Sequence, residues 1–436
     1  MTTNIGIGFV TGRKLFKKVL KTYINNWLEH GLIENQKVRL HLFVAYDLKY
    51  QQTQANDYKN ISPELEDMIE SIQYYSEERI NAEVALLESE NVLNATESKL
   101  IFGQGYGRKR NVITYFAIKH KMDKLLFIDD DEFPMAAVKN VQGRLQWMGQ
   151  SILGTHLKYN DNAAITHGHH CGYISPIPYI SFNDVLTEND FKQFIDAISN
   201  DIISWDKIRH LILNNKGVTY ADPNIVDSMS AYEVEEENGM KFISGANLCF
   251  NLQHCRALPP FYNPPGARGE DTFMSTALSQ LKVMKVPCYT FHDGFSMYNH
   301  ILSGVLPIHL EAIETVSAAI LKRFVNAAIG WIRYKPLLVY VTNPGQYEAI
   351  MEGIQQRLAI TIPKLCAYFK TDDFNKIDAE FARYRNNVKK HFQEFEQTKL
   401  VWRKLMNNMS AVPLDEVPNL FQLQGQQQFG TDMVAN

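Results

Sequence analysis

The chain lacks the features that would mark it as exported, membrane-spanning or nucleic-acid-binding. No stretch reaches the roughly eighteen consecutive apolar residues that a spanning helix requires. The richest, Ala318 to Val341, is interrupted by Lys322, Arg323, Arg333 and Lys335. The opening residues, Met1 to Val10, hold no basic segment running into an apolar stretch, the mark of a secretory leader. Cysteines are few: Cys171, Cys249, Cys255, Cys288 and Cys366 are odd in number and contain no Cys-x-x-Cys pair. Neither a disulfide framework nor a zinc ribbon is expected from them. Nor does one sign of charge dominate. The 44 lysines and arginines face 48 aspartates and glutamates, and the net charge of -4 gives no electrostatic reason to expect a nucleic-acid partner. These absences lead to the expectation of a cytoplasmic protein.

What is present is an ordinary globular balance, 45% apolar and 21% charged, over 436 residues, enough for two or three cores. Asn4 to Val10 reads as a strand, followed by the turn Thr11-Gly12-Arg13. An amphipathic helix then carries Leu15, Val19, Leu20, Tyr23, Ile24 and Trp27 at apolar positions. Val38 to Ala45 is a second strand leading to Asp47, and Ser62-Pro63-Glu64 starts a helix. Ser98 to Phe102 is expected to be a third strand and Lys124 to Ile128 a fourth, with a helix from Arg110 to His120 between them. Alternating strands and helices imply a parallel sheet with crossover helices. Further strands are expected at Ala163 to Thr166, Lys241 to Ile243 and Lys285 to Thr290, with helical material over Glu188 to Leu213. From Pro307 onward the runs are helical. Boundaries are expected near residues 304 and 410, leaving 411–436 as a polar, glutamine-rich tail.

The chemistry concentrates in Leu125-Leu126-Phe127-Ile128-Asp129-Asp130-Asp131-Glu132. Four consecutive acids closing a buried strand repel one another unless a cation offsets them. Mg²⁺ or Mn²⁺, which take carboxylate and phosphate oxygens, would do so. Ahead of that strand, Gly103-Gln104-Gly105-Tyr106-Gly107-Arg108-Lys109-Arg110-Asn111 combines glycines with three cations at a helix start, a place suited to a diphosphate. Downstream, Gly269-Glu270-Asp271 opens a helix, and His292 ends an apolar strand. The cluster His167-Gly168-His169-His170-Cys171 is expected in a short loop after a strand. A zinc site there is disfavoured, because closed tetrahedral sites draw ligands from two elements. A donor or acceptor contact suits a strand end better.

In this order the pieces resemble the GT-A nucleotide-sugar-dependent glycosyltransferases, of the family-2-like kind, over roughly Asn4 to Gly304. The resemblance implies a Rossmann-like, mostly parallel sheet flanked by helices, with a donor half at about 1–135, an acceptor half at about 136–304 and a helical extension at 305–410. It implies that Asp131 binds a divalent metal, that Asp129 contacts the metal or the ribose, and that His292 completes the shell or meets the diphosphate. Asp47, Gly105, Arg108, Lys109, Arg110, Asn111, Asp129 and Asp130 would face the donor. Gly245, Asn247, His169 and His170 would face a saccharide or glycoconjugate acceptor. Asp271, beside Glu270, would take the proton from the acceptor hydroxyl. A fourth acid, Glu132, and a long, largely helical Leu48 to Glu97 depart from the pattern. A nucleotidyltransferase of related fold and a non-catalytic sugar-nucleotide-binding protein remain as alternatives. For the extension, packing on the catalytic region or on a second copy is favoured over a membrane surface, because its basic residues do not segregate to one face.

Overall fold

A computed structural model of the chain describes residues 2–409, apart from 36, 200–203, 229 and 315–316. The expected polar tail at 411–436 lies outside the described residues.

The elements run β1 (Thr3–Thr11), α1 (Phe16–Glu29), β2 (Val38–Tyr46), α2 (Pro63–Glu66), β3 (Ser71–Tyr75), α3 (Glu77–Ser89), α4 (Ala95–Phe102), α5 (Tyr106–Lys119) and β4 (Lys124–Ile128). They continue with β5 (Glu132–Phe133), β6 (Met135–Lys139), β7 (Leu145–Gly149), α6 (Ile152–Asn160), β8 (Ile165–Gly172), α7 (Glu188–Ile198), α8 (Trp205–Leu213), α9 (Pro223–Ser228), β9 (Tyr232–Glu233) and β10 (Leu248–Asn251). Last come α10 (Glu270–Ser275), β11 (Val283–His292), α11 (Ala318–Thr342), α12 (Tyr347–Phe369), α13 (Asn375–Asn386) and α14 (Val388–Met409). No helix among the described residues is long and apolar enough to cross a membrane.

The central sheet has the order β3-β2-β1-β4-β10-β8-β11-β5, with β9 paired to β11. Neighbours are parallel from β3 through β4, β10 runs against both β4 and β8, and β8 and β11 are parallel. The chain therefore builds outward from β1 to β3 and returns to place β4 on the other side of β1. That reversal opens a crevice at the carboxyl ends of β1 and β4. Since β8 and β11 point the same way, their carboxyl ends reach the same edge. β1 and β4 are buried along nearly their whole length, which is why Ile5, Ile7, Phe9, Leu125, Leu126, Phe127 and Ile128 read as apolar runs rather than as alternation. α1 and α6 cover one face, while α4, α5 and α14 cover the other.

Three local expectations are corrected. Residues 98–102 are the end of α4, not a strand: Asn94 caps its first turn and Glu97 returns the bond to the Asn94 N–H, a reciprocal cap that commits the segment to helix. The third strand is instead β3, an edge strand too short and too polar on one face to stand out. The glycine-rich loop thus joins two helices. Residues 241–243 are irregular and the strand begins later, at Leu248. The histidine cluster lies within β8 rather than in a loop after it, hydrogen-bonded to β10 and β11.

The four C-terminal helices are built into the molecule. With α7 and α8 they form one apolar core that includes Phe191, Phe194, Trp205, Phe324, Leu358 and Phe381, and reaches Tyr262 and Phe273 beside α10. α14 returns to the sheet, where Trp402 donates to the Leu258 carbonyl (3.0 Å) and Lys404 pairs with Glu97 (2.8 Å). Two basic residues of α11 turn inward: Arg333 bonds Glu380 (2.6 Å), and buried Lys335 donates to the Ser199 carbonyl (2.7 Å).

One buried polar clasp positions the loop ahead of α10. Asn111, fully buried on α5, donates to the Phe261 carbonyl (2.9 Å) and accepts from the Phe261 N–H (2.8 Å). Asn111→Ala leaves both backbone groups buried without partners, so urea denaturation should show a loss of about 1–3 kcal/mol. A loss near zero would mean that water or a shift of the loop replaces the clasp.

Candidate functional site

The acids that close β4 meet partners from four different elements. Asp129 accepts from Arg110 Nη2 (2.9 Å) and from the Tyr106 hydroxyl (2.7 Å), both on the first turns of α5. Asp130 pairs with Arg13 Nε (3.1 Å) and accepts from Thr11 Oγ1 (2.5 Å), at the end of β1. Asp131 meets Arg13 Nη2 (2.6 Å) on one side and His292 Nε2 (3.3 Å) on the other. Glu132, buried within β5, accepts from Thr290 (2.7 Å) and lies 3.1 Å from His170 Nδ1. A run that looks like one feature in sequence is four carboxylates with different partners in space, Asp130 and Asp131 sharing Arg13.

Their proton affinities diverge accordingly. Burial raises Asp129, with Arg110 opposing. Burial and then Asp131 push Asp130 up to about 7. Asp131 is equally desolvated, yet His292 and then Arg13 hold it below the ordinary carboxylate range. His292 shows the reciprocal effect: burial favours its neutral form, but Asp131 overrides it and raises the imidazole to about 9.

Arg110 links this cluster to α10. Its guanidinium is fully buried, 5.0 Å from the Phe127 ring and 5.6 Å from the Phe261 ring, with Nε 3.9 Å from Glu270. Beyond it, Asp271 accepts from the Thr272 N–H (2.8 Å) and from the Gly245 N–H. Burial raises Asp271 despite these donors and Arg110. Burial and then Asp271 push Glu270 up to about 7. Asp271 is thus an oriented carboxylate with raised basicity, facing the acid cluster across Arg110.

The other expected residues divide into two groups. Asp47 closes β2, next to Thr11, and its charge is felt by Lys109, whose ammonium donates to the Tyr46 carbonyl (2.9 Å). Gly105 caps α5 with a positive φ of 113° and open space where a Cβ would be. These lie at the same edge as the acids. Five others are engaged in holding the fold. Arg108 donates to the carbonyls of Leu100 (3.3 Å) and Gln104 (3.0 Å), and Asn111 is committed to Phe261. Asn247 is fully buried, accepts from His156 and donates to the carbonyls of His169 and Cys288. His169 stacks at 5.0 Å on Tyr289, and burial lowers it to about 3, so it is neutral. His170 serves Glu132.

Sequence reasoning did not assign Thr11, Arg13 and Tyr106 to the site. All three stand in turn or loop segments of the sequence, and only the placing of β1 and α5 beside β4 brings them to the acids. Tyr50, largely exposed, rises over Gly12, where a Cβ would come within 2.6 Å of its own Cβ.

The donor chemistry of Asp129, Asp131 and His292 suits a hard divalent ion. His292 Nδ1 donates to the Tyr173 carbonyl (2.7 Å), which leaves Nε2 as the nitrogen turned to Asp131 and able to ligate once a metal displaces its proton. Among the described residues no three acids, histidines or cysteines converge as a ready metal cage. Mg²⁺-type sites need none, since they combine one or two carboxylates with substrate phosphates and water. No protein-family model matches the chain, and no curated protein matches it.

The raised acids set the sign of the pH dependence. Glu270 and Asp130 hold their protons up to about 7 in the fold, well above their values in an unfolded chain. The stability they contribute is therefore complete below their ordinary values of 4.5 and 3.8 and is lost progressively as the pH rises to about 7. His292, raised to about 9, acts in the same direction at higher pH. The melting temperature of the metal-free chain should fall between pH 5.5 and 8.5, and Glu270→Gln should flatten that fall. An unchanged slope would remove Glu270 from the titrating set.

Proposed function

We propose that the chain is a glycosyltransferase that moves a sugar from a nucleoside-diphosphate donor to a hydroxyl of a saccharide or related acceptor. One observation carries this reading: a carboxylate of raised basicity, Asp271, is oriented by two backbone N–H groups directly across Arg110 from the acids at the sheet's switch point. A base on one side of a cleft and a neutralised acid cluster on the other is what a displacement needs when the leaving group is an anion.

Asp271 takes the proton of the acceptor hydroxyl as that oxygen bonds to the anomeric carbon. The Thr272 and Gly245 N–H groups keep the carboxylate aimed while the proton moves. Arg110 stays charged throughout, because the Asp129 carboxylate pairs with it, and so holds Asp129 and Glu270 in register. Glu270, protonated up to about 7, is no rival base in that range. Asp131 and His292, with Asp129, are the groups that would hold Mn²⁺ or Mg²⁺. Such an ion, when bound, neutralises charge on the departing diphosphate.

Transfer and donor hydrolysis are measured over a panel of nucleoside-diphosphate sugars with Mn²⁺ and then with chelator. Chelation and Asp131→Asn should each suppress turnover. Asp271→Asn should cost about 10²–10⁴ in kcat, the usual contribution of a general base. If Asp131→Asn and Asp271→Asn both keep full turnover, the proposal is wrong.

A further inference from the structure

Among the described residues, the buried and partly buried arginines around the cleft are matched with acids, with one exception. Arg13 has Asp130 and Asp131, Arg110 has Asp129, and Arg333 has Glu380 and the Gly266 carbonyl. Arg323, in the second turn of α11, forms no ion pair with an acid among the described residues. Its guanidinium carbon stacks 4.8 Å over the Phe295 ring, and its Nε is buried with no hydrogen-bond partner. Nη2 occupies the space left by the missing side chain of Gly294, where a Cβ would come within 2.5 Å. Gly294 follows His292 by two residues, so the guanidinium stands beside the carboxyl end of β11. Burial lowers its pKa, and the charges it feels are those of Asp131, Arg13 and Arg268.

Arg268 approaches the same region from the other side. It is exposed, its stem packs over Gly330 of α11, and its N–H donates to the Gly330 carbonyl (3.3 Å). It directly precedes Gly269-Glu270-Asp271, and no ion pair involves it among the described residues. Two guanidinium groups held by one helix thus flank the rim of the cleft, and one of them is partly desolvated and forms no ion pair among the described residues. A guanidinium with a buried, unpartnered N–H is unfavourable unless a ligand supplies an acceptor. The planar, multi-donor guanidinium matches phosphate oxygens in bidentate fashion.

We infer that Arg323, together with Arg268, forms a phosphate-binding site on the rim of the cleft, so that the helical region completes the site. The phosphate belongs either to the diphosphate of the donor or to a phosphate ester on the acceptor. The inference deepens the glycosyltransferase reading, but binding tests it independently of turnover.

The full-length chain is titrated by calorimetry, with chelator present, against inorganic pyrophosphate, uridine diphosphate and a sugar monophosphate. Arg323→Gln and Arg268→Gln should each weaken the bound phosphate by about tenfold or more, the value of a charge-assisted pair. Arg323→Lys should recover part of the loss. Lys322→Gln, an exposed neighbour that changes the charge equally, should leave affinity unchanged. Weakening of pyrophosphate and uridine diphosphate assigns the site to the donor, whereas weakening of the sugar monophosphate alone assigns it to the acceptor. Melting curves confirm that each variant is folded. The inference fails if the wild type binds none of the three, or if Arg323→Gln binds all of them as the wild type does. Pyrophosphate bound through Arg323 in a chain that transfers no sugar would leave the inference standing and remove the glycosyltransferase reading. Transfer with phosphate affinities indifferent to Arg323→Gln would do the reverse.

Discussion

Four carboxylates enter a low-dielectric edge of the sheet in immediate succession, and much of the surrounding structure answers that electrostatic cost. β4 cannot deliver Asp129 to Glu132 into burial without counter-charges or hydrogen-bond partners, because adjacent desolvated acids raise one another's pKa. The answers come from separate elements: Arg13 from the end of β1, Arg110 from α5, His170 from β8 and His292 from β11. Each pairing fixes one strand or helix against β4. The charge balance and the arrangement of elements around the crevice are therefore one constraint rather than two.

Arg110 extends that constraint to the far wall. It lies between aromatic rings and contacts acids of both β4 and α10, so the distance between the two walls is set by a single rigid guanidinium. The loop ahead of α10 is then held from outside. Asn111 clasps Phe261, Arg333 bonds the Gly266 carbonyl, Tyr334 fills the space over Gly269, and Tyr384 bonds the Pro265 carbonyl. Three of those holding residues belong to the C-terminal helices. The helical region is in this sense part of the wall that presents Asp271, and Arg323 carries its influence to the end of β11.

Much of this was legible in the residues. Buried central strands must be apolar on both faces, which made β1, β2 and β4 readable, and the anchoring side of α1 followed from the spacing of Val19, Leu20, Tyr23 and Trp27. The acid run, the loop cations, Gly-Glu-Asp and the late histidine also stood out, because each breaks a local rule that a ligand or partner must restore. What escaped had weak local marks. β3 is a half-exposed edge strand, and α4 looks strand-like over Ser98 to Phe102 until its cap at Asn94 is counted. The histidines of β8 looked like a loop because a strand with three imidazoles has no alternating apolar face.

The sequence by itself determined which groups could carry chemistry and the order in which the chain presents them, since composition, spacing and capping act over a few residues. Only the tertiary structure decided which acid meets which cation. Asp129, Asp130 and Asp131 are neighbours in the chain, yet they differ in proton affinity because β1, α5 and β11 approach them from different directions. Pairings such as Thr11 with Asp130, Arg13 with Asp131 and Arg110 with Glu270 span more than a hundred residues of chain. They are set by the packing of the whole sheet, which no local pattern encodes.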